Sequence, residues 1–191
     1  MPDEAPLADT GSGLAPQDDG WFVVTVGDAA WLTNRAFGAR CGFEADVPLV
    51  RNQPDLHPQR FTQLGITLAV LEPGRPSGLY HAESNQEDFL VLAGECLLLV
   101  EGEERPLHAW DFVHCPPGTE HVFVGASNQP CVLLMTGARS PDRAIRYPGS
   151  ELARRYGAGA TSATSSAAEA YDSFPHWSPG RPESWSALPW G

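Results

Sequence analysis

Two short stretches of the chain contain side chains that could together bind a metal ion. In the first stretch His81 and Glu83 lie two residues apart, and Glu87 follows four residues later. In the second, His121 follows a Pro-Pro-Gly sequence. Imidazole nitrogens and carboxylate oxygens are common ligands of divalent transition-metal ions. These residue types therefore predict a metal centre of two imidazoles and two carboxylates, if the fold brings the stretches together.

Strand geometry supports this convergence. His81 and Glu83 leave the same face of a strand, because side chains two residues apart point in the same direction. The polar residues 84–86 predict a turn, after which Glu87 opens the next strand. A Pro-Pro-Gly turn can then bring the strand that carries His121 back beside the first pair.

The first stretch resembles the first motif of the cupin family. His81 takes the place of the motif's first His, Glu87 that of its Glu, and Gly94 that of its closing Gly. The six residues between Glu87 and Gly94 match the family spacing. Two motifs in the right order are a stronger indication than either motif alone.

The second stretch resembles the second cupin motif, with Pro116, Gly118 and His121 in the Pro, Gly and His places. Two positions depart from the family pattern. Glu83 stands where the second His is usual, and Trp110 stands where the second motif usually opens with Gly. The resemblance covers roughly residues 61–137.

The resemblance implies that one divalent metal ion is bound by His81, Glu83, Glu87 and His121. Zn is our first expectation, with Fe, Mn and Ni as alternatives, because both imidazole and carboxylate are present. A second hypothesis has Glu83 paired with an arginine, which leaves three ligands and more open positions on the ion.

A metal-dependent enzyme that acts on a small organic substrate is the first interpretation. Two anionic ligands leave less Lewis acidity for activating water, so isomerisation, decarboxylation or oxygen chemistry suits the centre better than hydrolysis. The alternative is a cupin that binds or senses a small molecule without transforming it. One fold hosts many reactions, so the resemblance does not identify the substrate.

The substrate pocket can be predicted from strand alternation and from the motif frame. If His121 faces inward, Phe123 does too, and Phe89 follows Glu87 in the same way. Arg75 and Arg105 are the only basic residues close to the motifs, which favours a small neutral or singly charged substrate over a sugar phosphate. The predicted pocket residues are Tyr80, Phe89, Trp110, His114, Phe123 and Met135.

Short strand signals separated by turns fill the middle of the chain and predict an all-β fold, here a cupin-type jelly-roll β-barrel. We expect the barrel over residues 21–148, with a long loop over 34–60, and a disordered segment over 1–20. A short helix is predicted over 149–157. We predict that residues 158–191 form a linker and an aromatic, proline-rich tail. The tail would pack onto its own barrel or onto that of a neighbouring subunit.

Two predicted strands, 97–100 and 132–135, are apolar on both faces and need a second cover. Another sheet, the chain's own extensions or a second subunit could provide it. Together with the aromatic tail, this pattern leads us to expect a homodimer.

The composition narrows the classes of partner. The chain has 191 residues and a net charge of -12, and all of its 12 basic residues are arginine. The absence of lysine excludes Schiff-base chemistry, and the acidic balance argues against binding to nucleic acid or to an anionic membrane. The sequence begins without a basic region or an apolar run. We therefore expect a cytoplasmic protein whose partner is a small molecule.

Overall fold

The computed structural model describes residues 1–44 and 61–191. Short runs in which apolar and polar residues alternate form strands. Two helices and one turn of 3-10 helix (Trp185–Ala187) occur near the C-terminus. The helices are α1 (Glu151–Arg155) and α2 (Ala167–Ala170). The strands are β1 (Leu7–Asp9), β2 (Leu14–Pro16), β3 (Leu32–Asn34), β4 (Gly38–Cys41), β5 (Leu64–Leu71), β6 (Ala82–Glu83), β7 (Glu87–Ala93), β8 (Glu95–Val100), β9 (Glu103–His108), β10 (Phe112–Cys115), β11 (His121–Gly125), β12 (Cys131–Ala138), β13 (Ile145–Arg146) and β14 (Ser178–Pro179).

Two antiparallel sheets make up the barrel, which confirms the predicted all-β fold. The larger sheet has the strand order β10-β7-β12-β5-β4-β3-β14, and the smaller has the order β11-β8-β9. β6 pairs with β13, and reciprocal backbone hydrogen bonds between His81 and His121 connect the β6 end to β11. None of the helices in the described parts of the chain has the length and apolar character that crossing a bilayer requires.

The space between the two sheets is filled by apolar side chains. Val91 of β7 and Leu133 of β12 point inward from the larger sheet, and both are fully buried. Leu98 of β8 and Phe123 of β11 meet them from the smaller sheet. Gly94 makes the tight connection from β7 to β8 with φ of 74°, and a Cβ there would lie 2.4 Å from the backbone oxygen of Pro130. The closing glycine of the first motif is therefore required by geometry.

The outer face of the larger sheet is covered by both ends of the chain. Trp31, which precedes β3, is completely buried and packs with Trp185 and Trp190 of the C-terminal tail, at ring-centroid distances of 5.9 and 5.7 Å. These rings lie against Val70 and Val132, which belong to β5 and β12. The tail thus fastens onto its own barrel.

A second aromatic cluster holds the first half of the tail. Phe37 is buried and contacts the rings of Tyr171, Phe174 and Trp177. The Tyr171 hydroxyl accepts a hydrogen bond of 3.0 Å from the backbone N–H of Leu79, two residues before His81. The tail is therefore connected to the segment that carries the first candidate ligand.

The smaller sheet is covered in a similar way. Ala153 of α1 is buried against Leu99 and Val122, on the outer side of β8 and β11. The same chain therefore provides the second cover that the two-faced apolar strands require. The homodimer stays a prediction.

The sequence predicts disorder for residues 1–20, whereas the structure gives them a small hairpin. β1 and β2 pair in antiparallel register, and Ala5 and Ala15 are buried. The hairpin is held by backbone hydrogen bonds and by small side chains, as where Leu14 N–H donates to the Asp28 carbonyl at 2.7 Å. Composition does not reveal such an arrangement, because no large apolar residue is needed for it.

Part of the loop predicted over residues 34–60 is strand. Leu32–Asn34 and Gly38–Cys41 form β3 and β4, which extend the larger sheet next to β5. Residues 45–60 of that predicted loop lie outside the described residues.

The aromatic cover of the larger sheet, in which Trp31 packs with the tail, can be tested with two tryptophan substitutions. Trp31→Ala should lower the free energy of unfolding by about 3–5 kcal/mol, the usual cost of removing a large buried aromatic side chain. Trp21→Ala removes a side chain that is 52% exposed and should cost no more than about 0.5 kcal/mol. Urea unfolding followed by circular dichroism measures both. Equal effects of the two substitutions would contradict the covering role.

Candidate metal centre

Backbone pairing brings two of the candidate ligands side by side. His81 N–H donates to the His121 carbonyl at 3.2 Å, and His121 N–H donates to the His81 carbonyl at 2.9 Å. Directly opposed residues of an antiparallel pair place their side chains on the same face. The two imidazole rings accordingly lie 5.0 Å apart, between centroids.

Glu87, the first residue of β7, completes a group of three donors. Its Oε2 lies 3.6 Å from Nε2 of His121 and 3.9 Å from Nε2 of His81. One donor atom from each of the three residues lies within 4.8 Å of the other two. Donors in a tetrahedral site with bonds of about 2.1 Å are about 3.4 Å apart, so these three need to approach by only a small amount to share an ion.

The other ring nitrogen of each histidine is held by a backbone carbonyl. His81 Nδ1–H donates to the Leu79 carbonyl at 2.7 Å, and His121 Nδ1–H donates to the Thr119 carbonyl at 3.1 Å. With Nδ1 carrying the proton, Nε2 presents a lone pair. Metal-ligating histidines are typically oriented in this way, so the arrangement fits a metal ion.

The Pro-Pro-Gly turn fixes the second of these carbonyls. Thr119 Oγ1 donates to the Pro116 carbonyl at 2.8 Å, and Gly118 N–H donates to the Glu83 carbonyl at 2.7 Å. Gly118 has a φ of 89°, in the region that favours glycine. The turn is thus tied both to itself and to β6, which positions His121.

Burial keeps all three donors uncharged when no cation is present. Desolvation lowers the pKa of His81, and it lowers the pKa of His121 to about 4, with the charge of His81 as a second cause. Desolvation also raises the pKa of Glu87 to about 8, and the nearby Glu83 carboxylate adds to this effect. A divalent cation would stabilise the ionised form of Glu87 and would bind the neutral imidazoles. The donor chemistry therefore fits a metal ion.

Glu83 is buried next to this group but is engaged elsewhere. Arg143 Nε donates to its Oε2 at 2.8 Å, and Arg143 Nη2 donates to its Oε1. Oε1 also lies 3.9 Å from Nε2 of His81. The structure therefore brings together His81, Glu87 and His121, and it holds Glu83 beside them in an ion pair with an arginine.

An arginine partner of Glu83 was one of the two hypotheses from the sequence, but Arg143 was not identified as that partner. It is 60 residues from Glu83, and it reaches the centre because Ile145 of β13 pairs with Glu83 of β6. The two arginines named from the sequence lie elsewhere, since Arg75 pairs with Glu183 and Arg105 pairs with Glu103. The contact between Arg143 and Glu83 depends on the pairing of β13 with β6, which no local sequence pattern indicates.

Tyr147 was also missed. Its ring is buried and lies 6.0 Å from that of His81, between centroids. Desolvation raises the pKa of its hydroxyl, which therefore stays protonated at neutral pH. Tyr147 follows β13, so the same C-terminal pairing that carries Arg143 brings it to the centre.

Three of the predicted pocket residues lie on the barrel interior beside His121. The Phe89 ring lies 5.0 Å from the His121 ring, and the Phe123 ring lies 6.1 Å from it. Met135 packs against the same interior cluster. These side chains form an apolar surface next to the three donors.

The other three predicted pocket residues face away from the interior. Tyr80 is buried on the outside under α1, where its hydroxyl accepts a hydrogen bond from Gly102 N–H at 3.2 Å. It neighbours His81, and adjacent strand residues point to opposite faces. His114 is half-exposed and its Nδ1 lies 2.6 Å from Asp88 Oδ1 on the outer face, while its neighbour Cys115 points inward.

Trp110 is the third of these, and it is 74% exposed. Its φ is 77°, a conformation that glycine adopts most easily. The turn therefore keeps the shape expected for a glycine at the start of the second motif, and the indole points into solvent.

Comparisons with known proteins agree with the fold and with the motifs. The family model described as cupin domain matches residues 67–137. No curated protein sequence matches the chain significantly.

Among solved structures, a sugar phosphate isomerase of the cupin superfamily from Silicibacter pomeroyi is 26% identical, with a TM-score of 0.44, over 56% of this chain and 62% of that one. A putative sugar phosphate isomerase from Acidithiobacillus ferrooxidans is 24% identical, with a TM-score of 0.44, over 56% and 64%. The polyketide cyclase RemF from Streptomyces resistomycificus is 18% identical, with a TM-score of 0.48, over 63% and 82%.

The chain spans less than two thirds of either isomerase chain, and all three TM-scores are below 0.5. The family match is specific, because it covers both motifs and the strands that carry Glu87 and His121. Residues 67–137 of this chain therefore form a cupin domain.

Proposed function

We propose that the protein is a metal-dependent enzyme that transforms a small organic substrate at an ion held by His81, Glu87 and His121. The observation that carries this proposal is the convergence of the three donor atoms, each within 4.8 Å of the other two. A bound divalent ion would act as a Lewis acid and offer open positions to a substrate. Isomerisation, decarboxylation and dioxygenation are the reaction types that such a centre suits best.

The number of donors favours a reactive centre over a structural one. Structural zinc sites are usually closed by four protein ligands, whereas catalytic sites keep a position for water or substrate. Both oxygens of Glu83 accept hydrogen bonds from Arg143, which leaves three protein ligands. A site of two histidines and one carboxylate with open positions is also typical of non-haem iron oxygenases, so Fe is a candidate beside Zn.

The surroundings of the donors support the same proposal. Phe89 and Phe123 border the centre on the barrel interior and keep bulk water away from that side. Arg143, which pairs with Glu83, and Tyr147, whose ring lies beside that of His81, can donate hydrogen bonds to a bound molecule. An apolar wall with a few convergent polar groups is the usual character of a small-molecule site.

A matched pair of glutamate substitutions tests the ligand set. Glu87→Gln should reduce metal content strongly, because it removes the only carboxylate among the three converging donors. Glu83→Gln should leave metal content within about twofold, because its carboxylate is held by Arg143. Elemental analysis of the purified full-length protein after loading with Zn or, without oxygen, with Fe(II) measures both. An equal loss in the two variants would restore Glu83 to the ligand set.

The open position can be tested with cobalt. Protein loaded with Co(II) should change its visible absorption spectrum when azide is added, because an exogenous ligand can enter a coordination sphere with only three protein donors. Glu83→Gln should respond in the same way as the unchanged protein. A spectrum that azide leaves unaltered would indicate a closed, structural site and would contradict the enzymatic proposal.

The pH dependence of metal binding should follow the titration of the Glu87 carboxyl group. Because the pKa of Glu87 in the metal-free protein is raised to about 8, binding at lower pH displaces its proton. The pKa of His121 is about 4 and that of His81 is also lowered, so the imidazoles release few protons near neutrality. Metal affinity should therefore rise by about tenfold per pH unit up to about pH 8 and then level off. Competition with a chromophoric chelator measures this, and a plateau starting near the ordinary histidine pKa of about 6.5 would contradict it.

A further inference from the structure

We propose that Arg143 binds the substrate at this centre, and that it selects a small organic molecule with a single carboxylate group. This inference rests on the proposed function, since it names the substrate class of the same site. No motif predicts the Arg143 guanidinium, which lies at the edge of the donor group.

The position of Arg143 is set by the buried carboxylate beneath it. Its Nε donates to Glu83 Oε2 at 2.8 Å, and its Nη2 donates to Glu83 Oε1. That same Oε1 lies 3.9 Å from Nε2 of His81. One carboxylate therefore separates the guanidinium from the nearest metal donor.

The free side of the guanidinium faces outward. Nε and Nη2 donate to Glu83, and Nη1 donates no hydrogen bond to any of the described residues. The Arg143 side chain is 46% exposed, while that of Glu83 is 9% exposed. The ion pair is thus layered, with the acid inside and the base toward solvent. A guanidinium held on one edge in this way can still form hydrogen bonds to an incoming carboxylate.

The neighbouring arginines are engaged elsewhere. Arg139 pairs with Glu44, and Arg146 pairs with Glu120. Burial is the main cause of the pKa shifts of His81, Glu87 and Tyr147, and the positive charge of Arg143 acts on all three by lowering the pKa. Its charge therefore acts on the centre directly.

Charge balance selects the substrate class. Glu83 and ionised Glu87 contribute two negative charges, Arg143 contributes one positive charge, and a divalent ion contributes two. The loaded centre has a net charge of about one positive unit, which a monoanion cancels. A neutral molecule would leave this charge uncompensated, and a phosphate dianion would exceed it. A carboxylate also matches the fork geometry of a guanidinium.

The experiment compares acetate with acetamide, which has nearly the same shape and no charge. Zn-loaded full-length protein is titrated with each ligand in a calorimeter, and the metal content of every sample is measured. Arg143→Gln should weaken acetate binding by about tenfold or more, since it removes a charge-assisted contact, and should leave acetamide binding unchanged. Arg143→Lys, which keeps the charge without the fork, should give an intermediate affinity.

Arg146→Gln is the matched control. It removes the same charge three residues along the chain, from a pair with Glu120 rather than with Glu83. Acetate affinity should remain unchanged in this variant. A loss as large as that caused by Arg143→Gln would show that overall charge, and not Arg143, attracts the anion.

Other outcomes separate this inference from the proposed function. Unchanged acetate affinity in Arg143→Gln at full metal content would overturn the inference and leave the metal centre in place. Tighter binding of inorganic phosphate than of acetate would overturn the carboxylate class. Failure of the unchanged protein to bind metal would overturn the proposed function. If Arg143→Gln lowers metal content by leaving Glu83 unpaired, the double variant Glu83→Gln/Arg143→Gln removes the unpaired acid, and acetate affinity must fall in it as well.

Discussion

The reciprocal hydrogen bonds between the backbones of His81 and His121 are the contact on which the candidate site depends. This pair connects the segment before β6 to β11, and therefore joins two motifs that are far apart in the sequence. It also places both imidazoles on one face, where β7 can present Glu87. A shift of one residue in this register would turn one imidazole to the outer side of the sheet. The same two hydrogen bonds thus contribute to barrel closure and set the ligand geometry.

The centre combines donors that are costly to bury in charged form. Two neutral imidazoles and a carboxyl group with a raised pKa are the state that desolvation imposes in the absence of a cation. Glu83 lies beside them in an ion pair with Arg143, which compensates its charge. The two acids of the first motif thus have opposite environments, four residues apart. The charge of Glu83 is compensated by Arg143, whereas ionised Glu87 would be compensated by a bound cation.

Much of the fold and part of the site could be predicted from the sequence. The resemblance to the two motifs singled out Glu83 and the three residues that converge in the structure, His81, Glu87 and His121. Strand alternation placed Phe89 and Phe123 on the interior, and the same rule applied to Tyr80 would have placed it outside. Arg143 and Tyr147 could not be found in this way. They depend on the pairing of β13 with β6, a contact between distant segments that carries no local pattern.

The order of the larger sheet ends in a strand of two residues, and this has a consequence for association with other chains. β14 pairs with β3 through Ser178 and Pro179. Proline has no amide hydrogen, so the outer rim of this strand offers few donors to an approaching backbone. An exposed strand edge is otherwise a template for intermolecular aggregation. The last segment of the chain therefore protects this edge of the sheet from continued growth, in addition to covering its face.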